Sequence, residues 1–201
     1  MSHRLRWALL VFGIVALCAC APVRVRENPA VLADQQQREA QLAARTRWTL
    51  TAHIFVSDGT ENSGSGDLEW HHDGDRYSFK LRAPTGKTWR LTGDAREAML
   101  EGVDAQPIRG TDPERLLLER LGWEVPVADL ADWVRGVRST RQQAQVVYDG
   151  QGLPAQLDQD GWKIEYRDWY GDLAPPMPRK VFASRGDARV KMAIDHWSFD
   201  G

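Results

Sequence analysis

Cysteine is almost absent from this sequence of 201 residues: there are two, Cys18 and Cys20, and both lie near the N-terminus. The rest of the chain can therefore form no disulfide, thiolate zinc site, iron–sulfur cluster or cysteine nucleophile. An excess of charge of one sign is also absent, because 26 basic and 28 acidic side chains give a formal net charge of −2. This balance argues against nucleic acid as a partner, which a strongly basic surface would favour.

Long hydrophobic runs are scarce as well. The run at residues 7–17 (WALLVFGIVAL) has eleven residues, whereas a membrane-spanning helix needs roughly 20. It follows Arg4 and Arg6, and a short apolar run behind basic residues is typical of a secretory signal peptide. We therefore expect residues 1–19 to be a signal peptide.

The segment 17–20 (LCAC) resembles the lipobox of bacterial lipoproteins. In such signals the cysteine becomes the first residue of the mature chain, and it carries a thioether-linked diacylglycerol and an amide-linked acyl chain. Ala19 before Cys20 is small and Leu17 before Cys18 is not, so Cys20 is the expected lipidated residue. Two or more acyl chains anchor a protein firmly, whereas one anchors it only marginally. An ordinary signal peptide, cleaved nearby, is the alternative.

The residue after Cys20 is Ala21 rather than Asp. By resemblance to the sorting rules of Gram-negative lipoproteins, this implies export to the outer membrane and attachment to its periplasmic face. Removal of residues 1–19 would leave 24 basic and 28 acidic side chains, a net charge of −4. We expect residues 20–30 to form the lipidated cysteine and a tether, and residues 31–201 to form a single domain.

Apolar and polar residues alternate between residues 48 and 56, which predicts a strand with one apolar face. The same alternation recurs to the end of the chain between turn signals such as Asp73-Gly74 and Asp160-Gly161. About eleven short strands, mostly linked as hairpins, are predicted in this way. The stretch 63–66 (SGSG) is predicted as a loop, and the proline-rich stretch 173–178 as another.

Three helices are predicted beside these strands. The first covers about 31–45, which contains neither Gly nor Pro. The second is capped by Thr111 or Asp112 and stops at Gly122, and the third runs near 127–135. The whole pattern predicts a mainly β fold: a strongly curved antiparallel sheet or incomplete barrel with helices on one side.

The apolar face of such a sheet must be covered, and the residues leave two alternatives open. The face closes on itself as a packed core, which periodicity alone favours, or it leaves an apolar cleft under the helices.

No catalytic constellation is present in the sequence. His71 and His72 are adjacent on a strand and so point to opposite faces, which favours a polar hairpin over a metal site. The stretch 63–66 fits neither a nucleophile elbow nor a phosphate-binding loop. We expect no enzymatic activity, no cofactor and no metal.

The chain resembles the LolB family of outer-membrane lipoproteins, which receive other lipoproteins from the periplasmic carrier LolA. The resemblance lies in the lipobox and in the order and spacing of 75–77 (DRY), 81–86 (LRAPTG), 121–127 (LGWEVPV), Leu130, 133–136 (WVRG), 176–178 (PMP) and 190–197 (VKMAIDHW). It implies an unclosed antiparallel half-barrel of eleven strands with a helical lid over a hydrophobic cavity. This expectation favours the cleft over the packed core.

The resemblance further implies that the cavity binds the acyl chains of a client lipoprotein. By alternation, the expected wall is formed by Leu50, Ile54, Leu68, Trp70, Phe79, Leu81, Trp89, Leu91, Ile164, Tyr166, Met192 and Ile194. The expected lid residues are Leu117, Leu121 and Trp133.

A protruding turn, implicated in this family in the insertion of clients into the membrane, would correspond to Pro84, Thr85 and Gly86. Family members can carry an apolar residue at its tip, where this chain has Thr85. Threonine is less membrane-seeking than leucine, so the family's insertion role does not transfer directly to this residue.

The resemblance implies three partners: a LolA-like carrier, client lipoproteins, and the outer membrane through Cys20. We expect a monomer, a complementary charge encounter with the carrier, and no need for ATP at this step. Two alternatives stay open. One is a lipid-anchored scaffold of an envelope assembly with a packed interior that binds no lipid, and the other is a periplasmic lipid-sensing or lipid-carrying relative on the same fold.

Overall fold

The computed structural model describes residues 29–199, which form three helices and eleven strands. The helices are α1 (Pro29–Ala44), α2 (Pro113–Leu121) and α3 (Val127–Trp133). The strands are β1 (Arg47–Ser57), β2 (Ser63–Asp73), β3 (Arg76–Arg82), β4 (Thr88–Gly93), β5 (Ala98–Glu101), β6 (Ile108–Gly110), β7 (Ala144–Tyr148), β8 (Pro154–Gln159), β9 (Trp162–Tyr170), β10 (Met177–Arg185) and β11 (Ala188–Phe199). Cys20 and the predicted signal peptide lie outside the described residues.

All eleven strands belong to one antiparallel sheet in the order β6-β5-β4-β3-β2-β1-β11-β10-β9-β8-β7. Strands β1–β6 form one meander and β7–β11 another, and the two are joined where β1 pairs with β11. The edges β6 and β7 do not pair with each other, so the sheet stays open. The predicted unclosed sheet of about eleven strands with three helices is confirmed.

The concave face of the sheet is the buried face. Along β1, the side chains from Trp48 to Val56 are alternately buried and accessible to solvent, in the period of two that the sequence predicts. The largest fully buried side chains include Trp48, Trp70, Trp133 and Trp162. The core is therefore built mainly from aromatic and branched side chains on this one face.

Strand β2 begins at Ser63, where the sequence predicts a loop. Gly64 pairs with Val56 of β1, and a Cβ atom at Gly64 would lie 2.1 Å from a ring carbon of Trp123. Residue 64 therefore has to be glycine so that the Trp123 indole can pack directly on the strand. The loop prediction for 63–66 is wrong, because the glycine serves a packing contact rather than a turn.

Three element boundaries also differ from the sequence prediction. Helix α1 begins at Pro29, inside the predicted tether, since proline suits the first helical position. Helix α3 ends at Trp133 rather than near 135. Strand β10 begins at Met177, inside the predicted loop 173–178, because the Met177 side chain is fully buried and its backbone pairs with Tyr170.

A buried arginine fastens α1 to the rest of the domain. Arg38 is 6% exposed, and its guanidinium donates to the carbonyl oxygens of Gly136 (2.8 Å), Arg135 (2.6 Å) and Pro176 (3.0 Å). It also lies 4.9 Å from the centre of the Trp169 ring. Burial lowers the pKa of Arg38 to about 10, so the side chain remains charged at neutral pH. These charge-assisted bonds offset the hydration that the guanidinium loses.

We predict that Arg38→Met lowers the free energy of unfolding by about 2–4 kcal/mol, because it leaves buried carbonyl groups without donors. The measurement is urea unfolding of a chain that begins at Ala21, which retains the whole described sheet and core. Arg90→Met is the matched control, because the Arg90 side chain is exposed on β4. Equal stabilities of the two variants would contradict the fastening role of Arg38.

Candidate functional site

An apolar cavity lies between the concave face of strands β1–β5 and the helices α2 and α3. Its free volume is about 60 Å³. It is lined by Ile54, Val56, Leu68, Phe79, Leu81, Trp89, Leu91, Leu100, Leu117, Leu121, Trp123, Val125, Val127 and Leu130. None of these side chains is charged, so the cavity suits hydrocarbon and gives an ion no compensation for lost water.

Helix α2 forms one wall of the cavity, and both of its ends are fixed by capping bonds. The Asp112 carboxylate accepts from the backbone N–H groups of Glu114 (3.0 Å) and Arg115 (3.1 Å). At the other end Gly122 has a left-handed φ of 71°, and its N–H donates to the carbonyl of Leu118 at 3.0 Å. The sequence predicts both caps.

The capped helix presents different faces to the cavity and to solvent. Leu117 and Leu121 lie one turn apart and both line the cavity. Leu118 lies on the outer face and is 52% exposed. Leu121 and Leu118 therefore allow a comparison of a cavity-facing leucine with a solvent-facing leucine on the same helix.

The segment between α2 and α3 also covers the cavity, through Trp123 and Val125. Trp123 lies edge-on to Trp89 of β4, with ring centres 5.5 Å apart. The backbone N–H of Ala128 on α3 donates to the carboxylate of Glu114 on α2 at 3.3 Å. Burial raises the pKa of Glu114 above its usual range. The two helices and their linker therefore form one connected cover.

Half of the wall residues expected from alternation line this cavity, together with two of the three expected lid residues. They are Ile54, Leu68, Phe79, Leu81, Trp89, Leu91, Leu117 and Leu121. The structure thus brings together the expected residues on β3, β4 and α2, with one from β1 and one from β2.

The remaining expected wall residues are buried but lie outside this cavity: Leu50, Trp70, Ile164, Tyr166, Met192 and Ile194. The third expected lid residue, Trp133, also lies outside it: the Trp133 indole donates to Gln159 at 2.8 Å, and its carbonyl accepts from the Tyr166 hydroxyl at 2.9 Å. Here the end of α3 packs directly on the sheet. The β8–β11 half of the concave face is therefore packed core, and the cleft is confined to the other half.

Six cavity residues are missing from the expected set: Val56, Leu100, Trp123, Val125, Val127 and Leu130. Two of them follow from the strand pattern. Val56 lies on the same face of β1 as Ile54, and Leu100 pairs with Leu91 across β4 and β5. Trp123 and Val125 lie in an irregular segment, where neither a helical nor a strand period predicts which way a side chain points.

The turn between β3 and β4 joins two strands that line the cavity. Its residues Pro84, Thr85 and Gly86 are exposed, and Gly86 has a φ of 86° with no atom near the position of a Cβ. The Gly86 N–H donates to the Ala83 carbonyl at 2.9 Å, which closes the turn. Since Leu81 and Trp89 on the two flanking strands line the cavity, the turn lies at the cavity's end of the sheet.

The two adjacent histidines lie on opposite faces of β2, as the sequence predicts. His71 is exposed and hydrogen-bonded to Glu69 at 2.8 Å, whereas the half-buried His72 stacks on Trp48 with ring centres 4.8 Å apart. Among residues 29–199, no three His, Cys, Asp or Glu side chains are grouped so that they could hold a metal ion. In the same residues, no helix combines the length and the apolar character needed to cross a membrane.

Residues 46–197 match the family model described as LolB, outer membrane lipoprotein LolB. An outer-membrane lipoprotein LolB from Xanthomonas campestris pv. campestris (strain B100) is 40% identical over an alignment of 167 positions, which covers 80% of this chain and 76% of that protein. One from Xanthomonas oryzae pv. oryzae (strain MAFF 311018) is 36% identical over an alignment of 215 positions, which covers 98% of this chain and 99% of the relative.

Among solved structures, the crystal structure of a LolA superfamily protein from Nitrosomonas europaea matches with a TM-score of 0.53 and 9% identity. The match covers 83% of this chain and 94% of that one. At this identity the similarity concerns the fold alone. The family model and the relatives at 36–40% identity show more: this chain belongs to the LolB family of outer-membrane lipoproteins.

Proposed function

We propose that this protein accepts acylated lipoproteins from a LolA-like periplasmic carrier and delivers them into the outer membrane. The observation that carries this proposal is the wholly apolar cavity between β1–β5 and the two helices. Membership of the LolB family and the LolA-superfamily fold support a role in lipoprotein localisation. The acceptor step and the acyl-binding site are our own inference from the geometry.

Such a transfer needs no external energy source, because it keeps the acyl chains out of water throughout. Exposure of hydrocarbon costs about 0.8 kcal/mol per CH₂, or about 12 kcal/mol for one palmitoyl chain. Passage from one apolar cavity to another avoids this cost, and the direction is set by the difference in affinity between the two. Release into the bilayer is favoured because the membrane accommodates all chains at once.

The cavity has to open before it can hold an acyl chain. Its free volume of about 60 Å³ is far below the roughly 300–1,000 Å³ of ligand-binding pockets. Because the β8–β11 half of the sheet is packed, we expect the opening to come from a movement of α2 and the segment that contains Trp123. Leu117 and Leu121 would then be displaced with the helix and widen the cavity.

A transfer assay tests the proposal directly. A chain that begins at Ala21 is incubated with a carrier loaded with a triacylated lipoprotein, and the client's final location is measured by size exclusion. We expect the client to move into a stable one-to-one complex with this protein. If the folded chain takes up no client, a lipid-anchored scaffold with a non-binding interior becomes the better interpretation.

Two leucines on one helix give a matched pair for the same assay. We predict that Leu121→Gln lowers client uptake about tenfold, because an amide buried in the cavity lacks partners at a cost of about 1–3 kcal/mol. Leu118→Gln, three residues earlier on the exposed face, should leave uptake unchanged. Equal uptake by the two variants would show that the cavity does not bind the acyl chains.

The proposed anchor is Cys20, which lies outside the described residues. We predict that Cys20→Ala abolishes incorporation of radiolabelled palmitate in cells and releases the protein from the membrane fraction. Cys18→Ala is the matched control, since it removes the neighbouring thiol and keeps the small residue before Cys20. Incorporation of palmitate into the Cys20→Ala protein would show that another residue is lipidated.

The exposed turn at Thr85 is proposed to act at release rather than at acceptance. We predict that Thr85→Leu leaves uptake from the carrier unchanged and accelerates delivery to lipid vesicles a few-fold, because leucine buries more apolar area in the bilayer. Gln151→Leu adds the same side chain to another exposed turn, beyond β7, and should change neither rate. Slower uptake by the Thr85→Leu protein would mean that the turn also takes part in acceptance.

A further inference from the structure

The segment between α2 and α3 is joined to the sheet by an ion pair. Glu124 lies between Trp123 and Val125, which are buried and line the cavity, whereas Glu124 does not line it. Its carboxylate oxygen Oε1 accepts from Nε of Arg185 at 2.7 Å and also from Nη2 of the same guanidinium. Arg185 is the last residue of β10. Two charge-assisted hydrogen bonds therefore connect the cover of the cavity to the packed half of the sheet.

This contact differs in kind from the others that hold the cover. We call residues 113–126, which comprise α2 and the linker that follows it, the α2 segment. Among the residues that the structure describes, no other ion pair joins this segment to a strand. Its remaining contacts with the sheet are mainly apolar, such as that of Trp123 with Trp89. Apolar contacts are not directional, so the pair of Glu124 with Arg185 fixes the position of the linker.

Arg185 is held in place from the sheet side. Its guanidinium lies 5.0 Å from the centre of the Trp162 ring, and it donates to the Asp160 carbonyl oxygen at 3.4 Å. The Asp160 carboxylate is 3.8 Å away. An arginine that is already positioned loses less conformational freedom when it pairs with Glu124.

The same surroundings allow the pair to separate reversibly. If the α2 segment moves away, Arg185 keeps Asp160 and Trp162 as partners. The side chain of Glu124 is 38% exposed in the closed state and becomes hydrated. Separation therefore leaves no charge buried without a partner, which is the costly outcome when a buried ion pair is broken.

We propose that the ion pair of Glu124 with Arg185 is a latch that holds the α2 segment over the empty cavity and opens when acyl chains enter. The inference rests on the proposed function, because it assigns a control element to the same apolar cavity. With the pair formed, the free volume is about 60 Å³, too small for an acyl chain. Only the open state binds, so the apparent affinity for hydrocarbon depends on the fraction of open protein.

The test measures the affinity of the chain that begins at Ala21 for dodecylpyrene, a fluorescent hydrocarbon. We expect Glu124→Gln to bind it about threefold more tightly, because loss of an exposed ion pair shifts the equilibrium towards the open state by a factor of this size. Arg185→Gln should give a similar gain. The double variant should bind no more tightly than the single variants, because either substitution alone already removes the interaction.

Glu119→Gln is the matched control. The Glu119 carboxylate accepts from Nε of Arg115 at 2.7 Å, and both residues belong to α2. The substitution removes the same charge and an exposed ion pair from the α2 segment, but this pair does not reach the sheet. It should leave the affinity for dodecylpyrene unchanged. An equal gain in the two glutamine variants would overturn the latch.

Ionic strength gives a readout that a purely structural role of Glu124 would not change. Salt screens exposed charges. Between about 0.02 M and about 0.5 M NaCl, we expect the affinity of the unsubstituted chain to rise about twofold more than that of the Glu124→Gln variant. Equal salt responses would contradict the latch.

A reversible lock tests whether the segment has to move. The chain that begins at Ala21 contains no cysteine, so Glu124→Cys and Arg185→Cys introduce two thiols that a short, reducible bismaleimide can join. We expect the cross-linked protein to bind dodecylpyrene at least tenfold more weakly, and reduction of the linker to restore binding. Undiminished binding by the cross-linked protein would overturn the inference, because the cavity would then fill without movement of the linker.

The outcomes separate the two proposals. If the unsubstituted chain binds dodecylpyrene but Glu124→Gln and Glu119→Gln behave alike, the latch is overturned while the proposed function stands. If the folded, unsubstituted chain does not bind dodecylpyrene, the acyl-binding function itself fails, and the latch fails with it.

Discussion

The pairing of β1 with β11 is the interaction on which the rest of the structure depends. It joins the first and the last strand in a long antiparallel ladder, from Trp48 opposite Phe199 to Ser57 opposite Arg189. Without it the two meanders would be separate sheets, each with an apolar face too large for its own helices to cover. The shift in register between Thr51 and Ala52 adds local twist to the ladder, as bulges do, and so helps the sheet to curve.

Curvature alone does not make a cavity, because the two halves of the sheet are covered differently. Over β8–β11, the end of α3 is bonded to the sheet through Trp133 and Gln159, and Arg38 of α1 is bonded to the segment that follows α3. Over β1–β5, a short helix and an irregular linker cover the face and leave free volume between apolar side chains. The β8–β11 half thus contributes most to stability, and the cover over β1–β5 can change shape with little loss of stability.

The sequence predicts the fold well where the signals are periodic or stereochemical. The alternation in β1 and the caps at Asp112 and Gly122 give the strand, the helix and its ends because each depends on local geometry. Only half of the expected wall residues line the cavity. Alternation identifies the buried face of each strand, but it does not show which part of that face a helix packs against. Trp133 shows this limit: its place is set by Gln159 and Tyr166, which are distant in sequence.

The same limit explains why the stretch around Gly64 was wrongly predicted as a loop. Glycine and serine in alternation are typical of loops, and only the contact with Trp123, far along the chain, shows that a strand needs the missing side chain. A pattern of this kind has two physical causes, and one sequence does not distinguish them.

An open sheet has two edges, and each is a row of unpaired peptide groups that could serve as a template for a foreign strand. Here β6 is three residues long and β7 is five. At about 3.3 Å per residue, β6 offers only about 10 Å of template. An extended, incompletely folded polypeptide that comes close gains few hydrogen bonds there. The sheet can therefore stay open while neither edge offers an effective template for aggregation.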